Sequence, residues 1–172
     1  RYQLIQNPVL DYRAFGTWNQ PAGTFSDDTS MMLCTVESLC NGLSYNDIAT
    51  QFSRWYQDGY WGAHHKLFDI GNTTRNAILN FNHQKINAET CGLTGVDSNG
   101  NGSLMRILPL IFFLYPEMNM ERRHEIVFHV SSITHGHFIA KFSCFIFVEF
   151  GIQLLKSKEL NCYDKLKVFE TT

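Results

Sequence analysis

Ser26-Asp27-Asp28-Thr29-Ser30-Met31-Met32-Leu33-Cys34 is the stretch from which the rest of the chain can be read. A hydroxyl residue, then two carboxylates, then an apolar run is how a helix starts in sequence. The hydroxyl can cap free backbone N–H groups, and acids in the first turn complement the helix dipole. The pattern predicts a helix to about Cys40, where Asn41-Gly42 is a stop signal. Residues 1–25 before it read as loop, with Pro8, Gly16, Pro21 and Gly23. After it, Ser44 caps a second helix that carries Ile48, Phe52 and Tyr56 on one face and ends before Gly59. Residues 59–71 are aromatic and irregular, with Tyr60, Trp61, His64 and His65.

Asn72 or Thr73 starts a helix through Ile78 to Phe81, and residues 82–101 form a polar loop. A helix is predicted from Ser103 to Tyr115, stopped by Pro116, and another from Met120 to Ile133. Thr134-His135-Gly136 breaks the chain before a long apolar helix, His137 to Lys156, and a short last helix falls at Tyr163 to Phe169. No alternating run of β-branched residues lies between turn signals. The expected fold class is all-α, a single domain over residues 1–172 without repeats.

Composition narrows the function classes. Of 172 residues, 44% are hydrophobic and 17% charged, which is ordinary for a globular domain. A net charge of -2 offers no basic field for nucleic acid or an acidic membrane. Five cysteines, an odd number without a C-x-x-C pair, argue against a disulfide scaffold or a zinc ribbon. A reducing, cytoplasmic setting is expected, with Cys34, Cys40 and Cys144 as small core residues. The opening Arg1-Tyr2-Gln3-Leu4 has neither an initiator Met nor an apolar signal region, so a start inside a longer gene product is expected. Residues 138–155 approach the length of a membrane span, but Lys141 and Glu149 would sit mid-bilayer, so a buried helix is expected instead.

Four strings could carry chemistry. Ser26, Asp27 and Asp28 read either as a cap with first-turn acids or as oxygen ligands for magnesium, a hard ion that keeps several waters. Adjacent helical positions diverge by about a quarter turn, so one acid could bridge two ions while the other holds one. Asp69-Ile70-Gly71-Asn72-Thr73-Thr74-Arg75 is either a turn and cap or a cleft edge where Asp69 meets a ribose hydroxyl. Asp97 to Gly102 begins like a calcium loop, but Leu108 stands where the bidentate Glu is needed, so calcium is rejected. A glycine-rich loop entering a helix is instead an anion site or a plain flexible turn. His135-Gly136-His137 could be a metal pair, yet no Cys or Glu cluster supports one, and a His reaching into a sugar–phosphate pocket is the better functional reading.

Taken in order, Gly23 to Met31 (G-T-F-S-D-D-T-S-M), Asp69 to Ala77 (D-I-G-N-T-T-R-N-A), Asn99 to Leu110 (N-G-N-G-S-L-M-R-I-L-P-L) and Ser131 to His137 (S-S-I-T-H-G-H) resemble the ADP-ribosylglycohydrolases. The resemblance covers roughly residues 16–155. It implies an orthogonal helical bundle around a two-magnesium cleft, with Ser26, Asp27 and Asp28 as metal ligands. It also implies that Asn99, Gly100, Asn101, Gly102 and Ser103 wrap the substrate diphosphate. His135 would lie near the distal ribose or phosphates, and Asp69 would handle the scissile ribose. The implied substrate is an ADP-ribosylated protein or a small-molecule ADP-ribose adduct.

Departures from the pattern matter. The family's late G-x-D-x-D-[TS] string has no counterpart after Leu155, where Glu159, Asp164 and Glu170 are isolated. Its opening G-D-[AS]-L-G helix is also missing, and Phe138 replaces the Pro that often follows the second His. Two magnesium ions carry four positive charges in all against two negative ones on Asp27 and Asp28. Two readings follow: a magnesium-dependent hydrolase present only in part, or an ADP-ribose-binding pseudoenzyme or inactive remnant. A bare helical module whose polar strings are only caps and turns is a third.

Overall fold

The computed structural model describes residues 6–8, 10–84 and 86–157. Its helices are α1 (Asp27–Cys40), α2 (Tyr45–Asp58), α3 (Asn72–Gln84), α4 (Pro109–Leu114), α5 (Met120–Ser132) and α6 (Phe138–Lys156). Among the described residues there is no strand, only an isolated parallel bridge between Leu93 and His135. The helix predicted at Tyr163 to Phe169 lies outside the described residues.

Caps and stops set the helix ends much as the sequence suggests. Ser44 accepts from the Asp47 N–H at 3.2 Å, and Asn119 does the same for Arg122 at 3.0 Å. Gly59 closes α2 in the left-handed conformation at φ 67°, where a side chain would also run into the His65 carbonyl. The helix expected from Ser103 to Tyr115 is in fact two pieces. A 3-10 turn, Leu104–Arg106, precedes α4, which restarts at Pro109. Pro109 has no N–H to return to the Met105 carbonyl, so it breaks the ladder and serves as the first residue of a new helix.

The core forms where α1 packs on α2, α2 on α3 and α5 on α6, with α4 held between α1 and α6. Phe52, Trp55, Met31, Ile48, Leu110, Val130 and Val148 are its large buried members. Trp55, one position from the predicted Tyr56, is the residue fully buried. Cys34 and Cys144 are buried as expected, whereas Cys40 is exposed at the end of α1, a correction to its core assignment.

The expectation that the long apolar helix is buried is corrected as well. On α6 one side is buried: Ala140, Cys144, Val148 and Ile152, at i, i+4 spacing, with Glu149 and Gly151 beside them. Phe138, Ile139, Phe142 and Ile146 on its other side are 42–60% exposed. By length and composition alone, with mean hydropathy 1.8, this helix could cross a membrane. Within the fold it packs on α5 through a buried ion pair. Arg123 donates from Nε to Glu149 Oε1 and from Nη2 to Oε2, both at 2.6 Å, and from Nη1 to the Glu117 carbonyl at 2.8 Å. That bond to Glu149 holds the Arg123 pKa above its ordinary value.

Candidate functional site

The start of α1 is not built as a simple cap. Ser26 is extended, at φ -102°, and makes no side-chain bond to the helix N–H groups. Its hydroxyl instead donates to Asp28 Oδ2 at 3.0 Å. The capping role expected of Ser26 is therefore corrected: the hydroxyl orients a carboxylate. Asp27 is half-buried and Asp28 exposed. Burial first, then the negative charges of Asp69 and Asp28, push the Asp27 pKa up to about 6. Asp69, remote in sequence, thus lies within electrostatic range of the acid pair, and both charges acting on Asp27 are negative.

A cleft of about 160 Å³ opens beside these acids. Asp27 forms one wall, Gly71 to Thr74 at the start of α3 another, Gly100 to Gly102 and Met105 a third, and His135 the floor. The helix starts that open on the cleft are therefore those of α3 and, through Asp27, α1. The glycine loop leads into a 3-10 turn, so the helix dipole expected behind it is supplied by a different element. Asn99 lies to one side, donating to the Val96 carbonyl at 3.0 Å. Ser103 is buried at 1% exposure, and its hydroxyl oxygen accepts from Ser131 at 2.9 Å and from the Cys144 thiol at 3.4 Å, facing the core. Ser26, Asp28 and Asp69 do not line this cleft.

His135 is 2% exposed and is held from behind. Its Nδ1 lies 3.0 Å from Thr134 Oγ1. That oxygen accepts from Arg106 Nη2 at 2.8 Å, and the same nitrogen donates to the Val130 carbonyl at 3.0 Å. Burial first, then the positive Arg106, hold the His135 pKa down at about 4, so the ring is neutral at pH 7. The glycine loop rests on this ring. A Cβ on Gly102 would stand 2.6 Å from His135 Cε1 and 3.0 Å from Thr74 Oγ1, so only glycine fits there. Below the ring, Gly92 and Gly136 cross at contact: Gly92 N donates to the Ser132 carbonyl at 2.8 Å and Gly136 N to the Leu93 carbonyl at 2.9 Å. His137 is used differently, its Nδ1 accepting from Ile139 N at 3.2 Å at the head of α6. The two histidines of the H-x-H string therefore do separate things.

Sequence reading missed Arg106, Thr134, Thr74 and Gly92. A cation inside the apolar run 104–114 was a legible sign for Arg106. No comparable sign marks the others, whose roles arise only from contacts across the fold.

Could these residues hold a metal? Among the described residues no group of three or more His, Cys, Asp or Glu side chains is placed to do so. Magnesium asks for less, since one or two carboxylates with water and substrate oxygens commonly complete its octahedron. The crowding that raises the Asp27 pKa is the relevant observation. An oxygen-only cluster under net negative charge fits a hard cation in chemistry, and supplies part of one shell.

Helix starts, a glycine loop and a neutral histidine brought to one cleft in an all-α bundle define a class of helical proteins whose site is assembled from distant strings. The chain matches the ADP-ribosylglycohydrolase family over residues 1–169, and it belongs to that family. It is 31% identical over 130 residues to the ADP-ribosylarginine hydrolase Tri1 of Pseudomonas putida (strain GB-1), covering 74% of this chain and 34% of that protein. It is 35% identical over 107 residues to the ADP-ribosylarginine hydrolase Tri1 of Serratia proteamaculans (strain 568), covering 61% of this chain and 29% of that protein. A solved structure described as an ADP-ribosylglycohydrolase-related protein complex shares the fold, with a TM-score of 0.67 and 24% identity over 86% of this chain and 46% of that one. The chain thus spans about a third of the length of the curated relatives it matches.

Proposed function

We propose that this chain carries the ADP-ribose-handling part of a magnesium-dependent glycohydrolase that releases ADP-ribose from a modified arginine side chain. The observation that carries the reading is the convergence of Asp27, the start of α3, the glycine loop and His135 on one cleft. Similarity to two ADP-ribosylarginine hydrolases supports arginine as the adduct. Ser26, Asp27 and Asp28 would hold the cation. When bound, magnesium would supply the positive charge that orients ribose hydroxyls and a water. Gly100 to Gly102 would lie along the diphosphate, and Asp69 would face the scissile ribose. Water attack at the anomeric carbon, through an oxocarbenium-like state, would release the guanidino group. Free thiols at Cys34, Cys40, Cys91 and Cys144 suit a cytoplasmic setting.

The test is turnover of ADP-ribosyl-arginine with added magnesium. The parent chain is expected to release ADP-ribose, and Asp27→Ala to lose that release. Activity that survives the substitution would sink the metal assignment. A second reading, ADP-ribose binding without turnover, is favoured by the charge count, because Asp27 and Asp28 offset only half the charge of two magnesium ions. Calorimetry separates the two: tight ADP-ribose binding that ignores magnesium selects the second.

A stability measurement reports on the cation separately. The Asp27 pKa is raised from 3.8 to about 6, so its contribution to stability is full below pH 3.8 and is lost as pH rises through about 6. Asp27→Asn, which cannot ionise, is expected to be more stable than the parent at pH 7. The gain is about 1 kcal/mol after allowance for solvent screening at this half-buried position, and it disappears toward pH 4. Magnesium should raise the melting midpoint of the parent and leave that of the variant unmoved. Thermal melts at pH 4 and pH 7, with and without magnesium, check both statements.

A further inference from the structure

Arg106 is an unusual occupant of an apolar core. Its side chain is fully buried, with Nε and Nη1 lacking any hydrogen-bond partner among the described residues. Among the described residues no carboxylate pairs with it; its compensation there is the Phe52 ring face, 4.7 Å from the guanidinium carbon, and the two acceptors reached by Nη2. Burial accordingly draws its pKa down to about 10. An unsatisfied buried cation is destabilising relative to an apolar side chain of the same volume. Its presence calls for an explanation other than packing.

We infer that Arg106, acting through Thr134, is a positioning residue that fixes the tautomer of His135, so that Nδ1 accepts and Nε2–H is presented to the glycine loop and cleft. Arg106 can only donate, so Thr134 Oγ1 receives that bond as an acceptor. The Thr134 hydroxyl proton then needs an acceptor of its own, and among the described residues the one at hydrogen-bond distance is His135 Nδ1, at 3.0 Å. A neutral imidazole that accepts at Nδ1 carries its proton on Nε2. The Nε2 edge is the one against the loop: Cβ atoms built on Gly102 and Gly100 would fall 3.1 and 3.7 Å from it. His135 is therefore a fixed donor to an oxygen acceptor in the cleft, a phosphate or ribose hydroxyl if the ADP-ribose reading holds. The positive charge of Arg106 helps to keep the ring neutral. Were Nδ1 to carry the proton, Nε2 would be a lone pair aimed at an anion, which repels.

The tautomer can be read without any ligand. In 15N-histidine-labelled chain at pH 7, with His135 assigned by its loss in His135→Gln, the imidazole should show the Nε2–H tautomer alone. Thr134→Val, which removes the hydroxyl and keeps the shape, should give a mixed or Nδ1–H pattern, and Thr134→Ser should restore the parent spectrum. Arg106→Met should shift the pattern in the same direction while holding or raising the melting midpoint. A parent spectrum of the Nδ1–H form overturns the inference, as does an unchanged spectrum in folded Thr134→Val or, if that variant does not fold, in Arg106→Met. Calorimetry with ADP-ribose then addresses the ligand. Binding about tenfold weaker in Thr134→Val than in the parent supports the donor role. A parent that binds no ADP-ribose, with the tautomer pattern as stated, overturns the nucleotide reading and leaves the tautomer assignment standing.

Discussion

Glu149→Ala lowers the stability of the chain by about 3–5 kcal/mol. The cause is what the substitution leaves behind. Arg123 is 5% exposed and gives two of its N–H groups to Glu149 at 2.6 Å. Removing the carboxylate strands a guanidinium between α5 and α6, where among the described residues only the Glu117 carbonyl still accepts from it. Urea denaturation measures the loss as a lower midpoint at unchanged slope. The paired replacement Arg123→Met with Glu149→Leu is expected to recover most of the stability, because it deletes both charges and keeps the volume. A loss under about 1 kcal/mol for Glu149→Ala would show that water reaches the pair, placing it with surface ion pairs.

Gly92→Ala acts at the C-terminal end of α5 and for a steric reason. A Cβ there would land on the Ser132 carbonyl oxygen, with the amides of His135 and Gly136 both 2.8 Å away. Backbone atoms cannot rotate aside as a side chain can. The crossing must open, losing the Gly92 to Ser132 and Gly136 to Leu93 hydrogen bonds. The expected loss is about 3 kcal/mol. Hydrogen exchange at the Gly136 amide should accelerate, and ADP-ribose binding should fall with it, since His135 sits on this crossing. Gly95→Ala is the control. Its Cβ would meet nothing nearer than Ser98 Oγ at 3.8 Å, so its stability is expected within about 0.5 kcal/mol of the parent.

The all-α character was legible because helix starts and stops are local. Ser44, with Gly59 and Pro116, acts on the few residues beside it, and the elements these bound fall as their positions suggest. Pro109 is equally local: inside the apolar run it opens α4 instead of continuing a helix. The strings that meet at the cleft could be named from sequence, since each carries glycine, hydroxyl or acid at turn positions. What they lean on could not. Arg106 reaches Thr134 across 28 positions, and the Asp69 charge bears on Asp27 from another helix start. Hydropathy likewise says that α6 is apolar on average but cannot say which side a neighbour covers.

That uncovered side has a consequence for how folding of this chain is judged. Phe138 and Phe142 stack at 5.4 Å with planes 13° apart, and Ile139 and Ile146 lie exposed on the same helix. Amphiphilic naphthalene dyes seek surfaces of this kind, and their emission is the usual sign of a loosened, molten interior. Here the native chain offers such a surface while Trp55, Phe52 and Met31 stay sealed. Dye emission from the folded chain is therefore expected from exposed apolar surface such as this, and near-ultraviolet circular dichroism from the buried Trp55 is the signal that tracks whether the interior is packed.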